Sequence, residues 1–351
     1  MNRILRILDA NINRASEGIR VLEDVARFYF NDKNLSEELK KLRHSVRKEI
    51  GELSSECLKE RDAVKDVGIA ISQELRMDNK SSLSELIPAN FKRVQESLRT
   101  IEENLKIAGK YELSKLYESY RFSSYSLEKD FAGKCMSENK VRKLETDLYC
   151  LTAEEYSNGR SNIEVVKALI CAGIKIIQYR EKDKKLKDKY NECLKIRQMT
   201  KDAGVTFIIN DNTDIALMIE ADGVHIGQDD LPIERVRELV GEEMIIGLST
   251  HSPEQAIDAV KRGADYIGVG PLYRTFTKKD VCEPVGLEYL DYAVKNIKIP
   301  FVAIGGIKEH NVREVSERGA GLIAMVTEIV GAGDIVKKIE SVRKTISKEH
   351  T

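Results

Sequence analysis

Long apolar runs, closely spaced cysteines and an excess of charge of either sign are all missing from this chain, and each absence removes a class of function. No apolar stretch approaches the roughly 20 residues that a membrane-crossing helix needs, and no signal peptide opens the chain, so a cytoplasmic protein with no membrane partner is expected. Lys plus Arg, 57 residues, nearly balance Asp plus Glu, 58. That balance argues against a nucleic-acid partner and against a surface for anionic lipid. The six cysteines, at 57, 135, 150, 171, 193 and 282, have neither paired nor metal-ligand spacing. They read as reduced thiols in small apolar niches.

What is present divides the chain in two, as 351 residues lead one to expect. Residues 1–131 carry apolar positions three and four apart and no convincing strand, which predicts an all-α domain with helices near 10–30, 34–59, 82–108 and 112–130. Ala132-Gly133 and the polar stretch that follows read as a linker over 132–145. From 146 to 351, short β-rich runs alternate with amphipathic stretches: Leu148–Leu151, Ile174–Gln178, Thr206–Ile209, Gly223–Ile226, Met244–Leu248, Tyr266–Val269, Phe301–Ile304 and Leu322–Val326. Eight such units in about 200 residues predict an α/β fold, a (β/α)8 TIM barrel behind an all-α N-terminal domain.

Polar clusters stand at the ends of the strand candidates, where a barrel assembles its site. Gln178, Arg180 and Lys182 are two apart, so in an extended chain they point the same way, and two cations with an amide call for an anion. Asp211 and Asp230 follow strands three and four. Two carboxylates beside cations suit a Mg²⁺ ion completed by phosphate oxygens. The alternative is that Arg180 and Lys182 form surface ion pairs with Glu181 and Asp183. Gly305-Gly306 and Val326-Thr327 end strands seven and eight, where barrels often bind a phosphomonoester through backbone N–H groups. Two phosphate subsites suggest the joining of two phosphorylated fragments.

The segments IIQYREKD, FIINDN, ADGVHIGQDDL, IIGLSTHS, ADYIGVGPLYRTFTKKD, VAIGGI and GLIAMVTEI resemble thiamine-phosphate synthase (thiamine-phosphate pyrophosphorylase) over residues 146–346. The resemblance implies that 4-amino-2-methyl-5-hydroxymethylpyrimidine diphosphate and a thiazole phosphate become thiamine phosphate and diphosphate, with Mg²⁺. It places Arg180, Lys182, Asn210 and Lys278 on the diphosphate and Asp211 and Asp230 on the metal. Gln178, Ser249, Thr275 and Thr277 would lie about the pyrimidine and leaving group, and Gly306, Val326 and Thr327 would receive the thiazole phosphate. An aminopyrimidine stabilises a cation at its exocyclic carbon, so charge on the departing diphosphate dominates the barrier. Arg180, Lys182, Lys278 and the metal answer it. The thiazole nitrogen carries no proton to remove, so no Ser, Cys or His nucleophile is required. His225 and His251 read as packing or supporting residues. The polar loop Arg274–Asp280 is expected to act as a lid. Arg274 and Glu328 depart from the family pattern, the second bringing a carboxylate toward the thiazole-phosphate site. A thiazole tautomerase-like barrel and a ligand sensor without turnover are the rival readings.

The N-terminal half contains an internal repeat. Asn11, Arg14, Glu17, Arg20 and Glu23 match Asn90, Arg93, Glu96, Arg99 and Glu102 at a constant offset of 79 residues. On a helix these residues form a polar row beside an apolar stripe. Two readings stand: ion pairs on solvated helices, or a buried polar network or ligand site. Arg61 and Asp66 lie in a polar loop that could cap such a site. The region resembles the domain fused to some thiamine-phosphate synthases and associated with phosphorylation of hydroxymethylpyrimidine phosphate, which would bring ATP as a co-substrate. No P-loop, glycine-rich fingerprint or protein-kinase set supports that from the residues themselves. A scaffold or homo-oligomerisation module without chemistry is the competing class.

Overall fold

In the computed structural model the described residues are 2–61, 80–275 and 283–347. They form two compact units, Met1–Ser137 and Glu138–Thr351.

The first unit is helical. Asn2–Asp24 runs into a single π turn, Val25–Tyr29, followed by Lys33–Lys48, Gly51–Lys59, Leu83–Ile107 and Tyr111–Leu144. Leu8, Ala15, Ile19 and Leu22 on the first helix, and Phe91, Val94, Leu98 and Ile101 on the Leu83–Ile107 helix, are buried at the three-and-four spacing. These stripes face each other and share one core with Leu39, Val46, Tyr117 and Phe131. The stretch 34–59, expected as one helix, breaks at Glu49 and Ile50, the C-cap of one helix and the N-cap of the next. Ile50 and Gly51 are both weak helix formers, which puts the break there. The first helix begins at Asn2 rather than near 10, because Leu5 and Leu8 extend its buried stripe.

The stretch read as a linker, 132–145, is corrected: Tyr111–Leu144 is one uninterrupted helix. Gly133 costs about 1 kcal/mol in a helix interior, but the Lys, Glu, Met and Arg residues after it favour helix. Its last turns belong to the second unit. There Lys140 binds Asp265 at 3.0 Å and Lys143 binds Asp222 at 2.6 Å.

The second unit is a closed barrel of eight parallel strands in sequential order. The strands are β1 Leu148–Leu151, β2 Ile176–Tyr179, β3 Thr206–Asn210, β4 Gly223–Ile226, β5 Ile245–Thr250, β6 Tyr266–Val269, β7 Phe301–Ala303 and β8 Ile323–Met325. Side chains alternate between two cores. Leu148, Cys150, Ile177, Phe207, Ile209 and Val224 face the surrounding helices. Tyr149, Leu151, Ile176, Ile208, Ile245, Tyr266, Val302 and Ala324 fill the interior, with Leu144 packed among them.

Aspartates just before β1, β4 and β6 stitch the N-terminal ends of the strands. Asp147 accepts from Leu148 N–H and Arg343, Asp222 from Phe207 N–H and Arg197, and Asp265 from Ile246 N–H and Arg237. This end of a barrel serves stability, leaving the other end for chemistry.

Candidate active site

Every described site candidate of the second unit lies at or just beyond the C-terminal end of its strand. Gln178 is in β2, Arg180 and Lys182 follow it, Asn210 ends β3 and Asp211 follows. Asp230 lies beyond β4 and Ser249 within β5. Gly306 follows β7, while Val326 and Thr327 follow β8. Thr275 ends the described part of the loop after β6; Thr277, Lys278 and the rest of the segment to Asp280 lie outside the described residues.

Gln178 is nearly fully buried, and its amide donates to Tyr149 Oη at 2.8 Å. That contact continues across the interior. Tyr149 Oη pairs with Tyr266 Oη at 2.8 Å, Tyr266 Oη with His225 Nδ1 at 2.9 Å, and His225 Nε2 with Ser249 Oγ at 2.9 Å. One polar chain therefore links β2, β1, β6, β4 and β5 and ends on two residues assigned from the sequence to the pyrimidine. Gly247 makes room for it: a Cβ there would lie 2.1 Å from Tyr266 Cζ and 2.5 Å from His225 Nδ1. Burial holds both phenols protonated by raising their pKa values well above the ordinary tyrosine range.

The charged residues gather at the mouth beside this chain. Arg180, a half-buried residue, is anchored through its backbone N–H to Thr152 Oγ1 at 2.9 Å, and its guanidinium has no carboxylate partner among the described residues. Lys182 forms an ion pair with Asp211. Glu181 instead turns away, accepting from Glu154 N–H and from Asn162 Nδ2, each at 2.9 Å. Of the alternative pairing of Arg180 and Lys182 with Glu181 and Asp183, the Glu181 part is thus not what the structure shows. Asp211 has a left-handed backbone, φ 59°, and its N–H donates to His225 O at 2.9 Å. Since β3 and β4 pair through Asn210 and His225, Asp211 and Asp230 sit at the ends of neighbouring strands. Asp230 Oδ2 accepts from Gly227 N–H at 2.7 Å.

Among the described residues no group of three or more His, Cys, Asp or Glu could by itself hold a metal ion. Asp211 and Asp230 nevertheless suit Mg²⁺, which takes one or two carboxylates and completes its shell with water and phosphate.

At β7 and β8, Gly305 and Gly306 have φ of 100° and 66°. A Cβ on Gly306 would lie 2.6 Å from Arg274 O. These glycines let the turn sit against the loop after β6, with Tyr273 N–H donating to Gly305 O at 2.9 Å. Glu328 turns to Lys338, 3.1 Å from its Oε1.

Sequence reasoning missed Tyr149, Tyr266 and Thr152, which read as ordinary strand residues. Inward strand parity and the need of a buried phenol for a partner were the available signals. His225 bridges Tyr266 and Ser249, while His251 Nδ1 donates to Gly270 O at 2.5 Å. Cys57, Cys150 and Cys193 are buried free thiols, Cys135 is half-buried and Cys171 exposed; Cys282 lies outside the described residues.

In the first unit the repeat does not gather all its candidates. Asn11 and Asn90 are buried, and each amide donates at 2.8 Å to the carbonyl four residues earlier, Ile7 O and Leu86 O. Arg14, Glu17, Arg20, Arg93 and Glu96 are exposed. The buried polar network instead centres on Glu23, held by Arg20 and Arg43, and on Glu102, held by Arg99, Lys106 and Arg121. Arg61 makes a two-pronged contact with Asp9 at 2.6 and 2.7 Å, and Asp66 lies outside the described residues.

Comparison with known proteins agrees with this division. Residues 148–329 match the family model described as thiamine monophosphate synthase, and residues 6–130 match the ThiD2 family. A thiamine-phosphate synthase of Pelotomaculum thermopropionicum is 68% identical over 206 residues, 59% of this chain and 94% of that protein. One from Synechocystis is 38% identical over 330 residues, covering 93% of this chain and 92% of its own length. The solved thiamine phosphate pyrophosphorylase of Pyrococcus furiosus superposes with a TM-score of 0.54 at 36% identity, covering 58% of this chain and 97% of that one. The barrel, the family models and a relative matched over 93% of the chain converge: this chain belongs to the thiamine-phosphate synthase family, with a ThiD2-family region ahead of the barrel.

Proposed function

We propose that the barrel condenses 4-amino-2-methyl-5-hydroxymethylpyrimidine diphosphate with 4-methyl-5-(2-phosphoethyl)thiazole to give thiamine phosphate and diphosphate, the transferase reaction of its family. The observation that carries this reading is the placing of Arg180, without a carboxylate partner among the described residues, next to the Lys182–Asp211 pair at the mouth. A cation held by backbone and left without a counter-ion is prepared for an anionic substrate.

Within this reading Gln178 and Ser249 orient the pyrimidine, each set by the buried phenol–imidazole chain. Arg180 and Lys182 stabilise negative charge as the carbon–oxygen bond to diphosphate breaks, helped by Asn210, and the family resemblance gives Lys278 the same role. Asp211 and Asp230 would hold Mg²⁺, which supplies further neutralisation of the leaving group when bound. Gly306, Val326 and Thr327 hold the second substrate so that its ring nitrogen faces the developing pyrimidine cation. That nucleophile needs no base, which agrees with His225 being committed at both ring nitrogens.

The first unit is proposed to phosphorylate hydroxymethylpyrimidine phosphate with ATP, furnishing the diphosphate that the barrel consumes. Its family match supports this. The mutual pairing of Glu23 and Glu102 with arginines favours the competing reading, a structural module. A coupled assay of the full chain tests both. Pyrimidine diphosphate, thiazole phosphate and Mg²⁺ should yield thiamine phosphate, and no product would refute the synthase reading. Pyrimidine monophosphate with ATP should also suffice; failure of that arm alone would leave the first unit without chemistry.

A further inference from the structure

We propose that Lys308 is a phosphate-binding residue of the thiazole subsite, supplying the positive charge that backbone amides alone cannot. The inference rests on the reading above and extends it to a residue that the family-matched strand-end motifs do not include.

Lys308 follows the Gly305–Gly306 turn, and Asn311 locks the backbone on both sides of Ile307, where the chain leaves that turn. Asn311 Oδ1 accepts from Lys308 N–H at 2.7 Å, and its Nδ2 donates to Gly306 O at 3.2 Å. From this anchor the Lys308 side chain reaches across to β8, where Nζ donates to Thr327 Oγ1 at 2.8 Å. The ammonium therefore lies beside Thr327, a residue assigned to the phosphate, on a side chain that starts two residues after Gly306, the other. An ammonium has three donors, and Thr327 uses one. Because the Thr327 hydroxyl accepts from Lys308, its own proton is free to point to a phosphate oxygen.

Glu328 is the competitor for this charge, and the structure shows how it is diverted. Its Oε2 is 3.5 Å from Lys308 Nζ, beyond a good hydrogen bond, whereas its Oε1 is 3.1 Å from Lys338 Nζ. Lys338 is fixed at 2.7 Å by Glu309, which also accepts from Ser341. Glu328 thus keeps its counter-ion when Lys308 turns to an incoming anion. With its side chain about one-third exposed, 36%, Lys308 can make that exchange without burying a new charge.

The full chain should be titrated calorimetrically with the thiazole phosphate and, separately, with the corresponding thiazole alcohol. The wild type, Lys308→Met and Lys308→Arg should be compared. Lys308→Met should weaken phosphate binding by about ten- to a hundredfold, the loss of one charge-assisted hydrogen bond, and leave alcohol binding within about twofold. Lys308→Arg should recover most of the preference for the phosphate. Unchanged phosphate affinity in Lys308→Met, or an equal loss for phosphate and alcohol, would overturn the assignment. A wild type that does not prefer phosphate to alcohol would overturn the subsite itself, and the role of Lys308 with it.

Discussion

Tyr149 and Tyr266, on strands β1 and β6, join their hydroxyls at 2.8 Å inside the barrel, with ring centroids 6.1 Å apart. Neither residue stands at the C-terminal end of its strand, yet together they carry the hydrogen bonds that connect Gln178 to Ser249. Two phenols kept neutral by burial can each donate and accept, so each can serve both of its neighbours in the chain.

Tyr266→Phe removes the central oxygen and leaves Tyr149 and His225 short of a partner. The cost should be about 1–3 kcal/mol of stability, the usual penalty for stranded buried polar groups. If the chain orients the pyrimidine, kcat/KM for the pyrimidine diphosphate should also fall about tenfold while the KM for thiazole phosphate stays within about twofold. A loss of thermal stability with unchanged kinetics would confine the network to a structural role.

Gly247→Ala tests the same region by volume. Its methyl would meet Tyr266 Cζ at 2.1 Å and His225 Nδ1 at 2.5 Å. Overpacking in a closed interior costs about 1–3 kcal/mol or more. Denaturant unfolding should show that loss, with the midpoint lowered and the slope unchanged.

Asp211→Asn keeps the shape of the residue but removes the charge facing Lys182. The Mg²⁺ concentration for half-maximal turnover should rise by about tenfold or more, as loss of a carboxylate ligand requires. A titration curve superimposable on that of the wild type would remove Asp211 from the metal site.

Asp222 should govern acid stability at the opposite end of the barrel. Burial opposes its ionisation, but Lys143, the Phe207 N–H and Arg197 outweigh it and hold the carboxyl below the usual aspartate range. A folded-state pKa lower than the unfolded one stabilises the protein above the unfolded value of about 3.9. That contribution is lost as pH falls through the lower folded value. Asp222→Asn leaves two cations around a neutral amide, and should cost about 3 kcal/mol or more at pH 7. The gap between wild type and variant should shrink on acidification. A gap that is constant between pH 7 and pH 3 would show that Asp222 acts through packing alone.

Much of the barrel was legible because parallel strands buried on both faces leave short β-branched runs, and turns after them need polar residues. Parity placed Gln178 on the inward face, whereas Arg180 and Lys182 lie beyond Tyr179, where the strand ends. The first unit was harder to read. Its repeat was visible, but which members face inward depends on where the two helices meet. That turned out to bury Glu23 and Glu102 and expose Arg14, Glu17, Arg93 and Glu96. The boundary region was misread for a local reason: a glycine and a polar run look like a linker until lysines find Asp222 and Asp265 across more than 70 residues of chain.

By itself the sequence determined the period of each segment, the order of eight strands and the chemistry available at their ends, because these are properties of neighbours along the chain. Only the tertiary structure decided that Tyr149, Tyr266 and His225 form one chain, that Glu181 turns away while Arg180 has no carboxylate partner among the described residues, and that Glu328 pairs with Lys338. Those outcomes rest on ångström-scale distances between residues remote in sequence. Closure of the barrel fixes these distances, and local propensity carries no information about them.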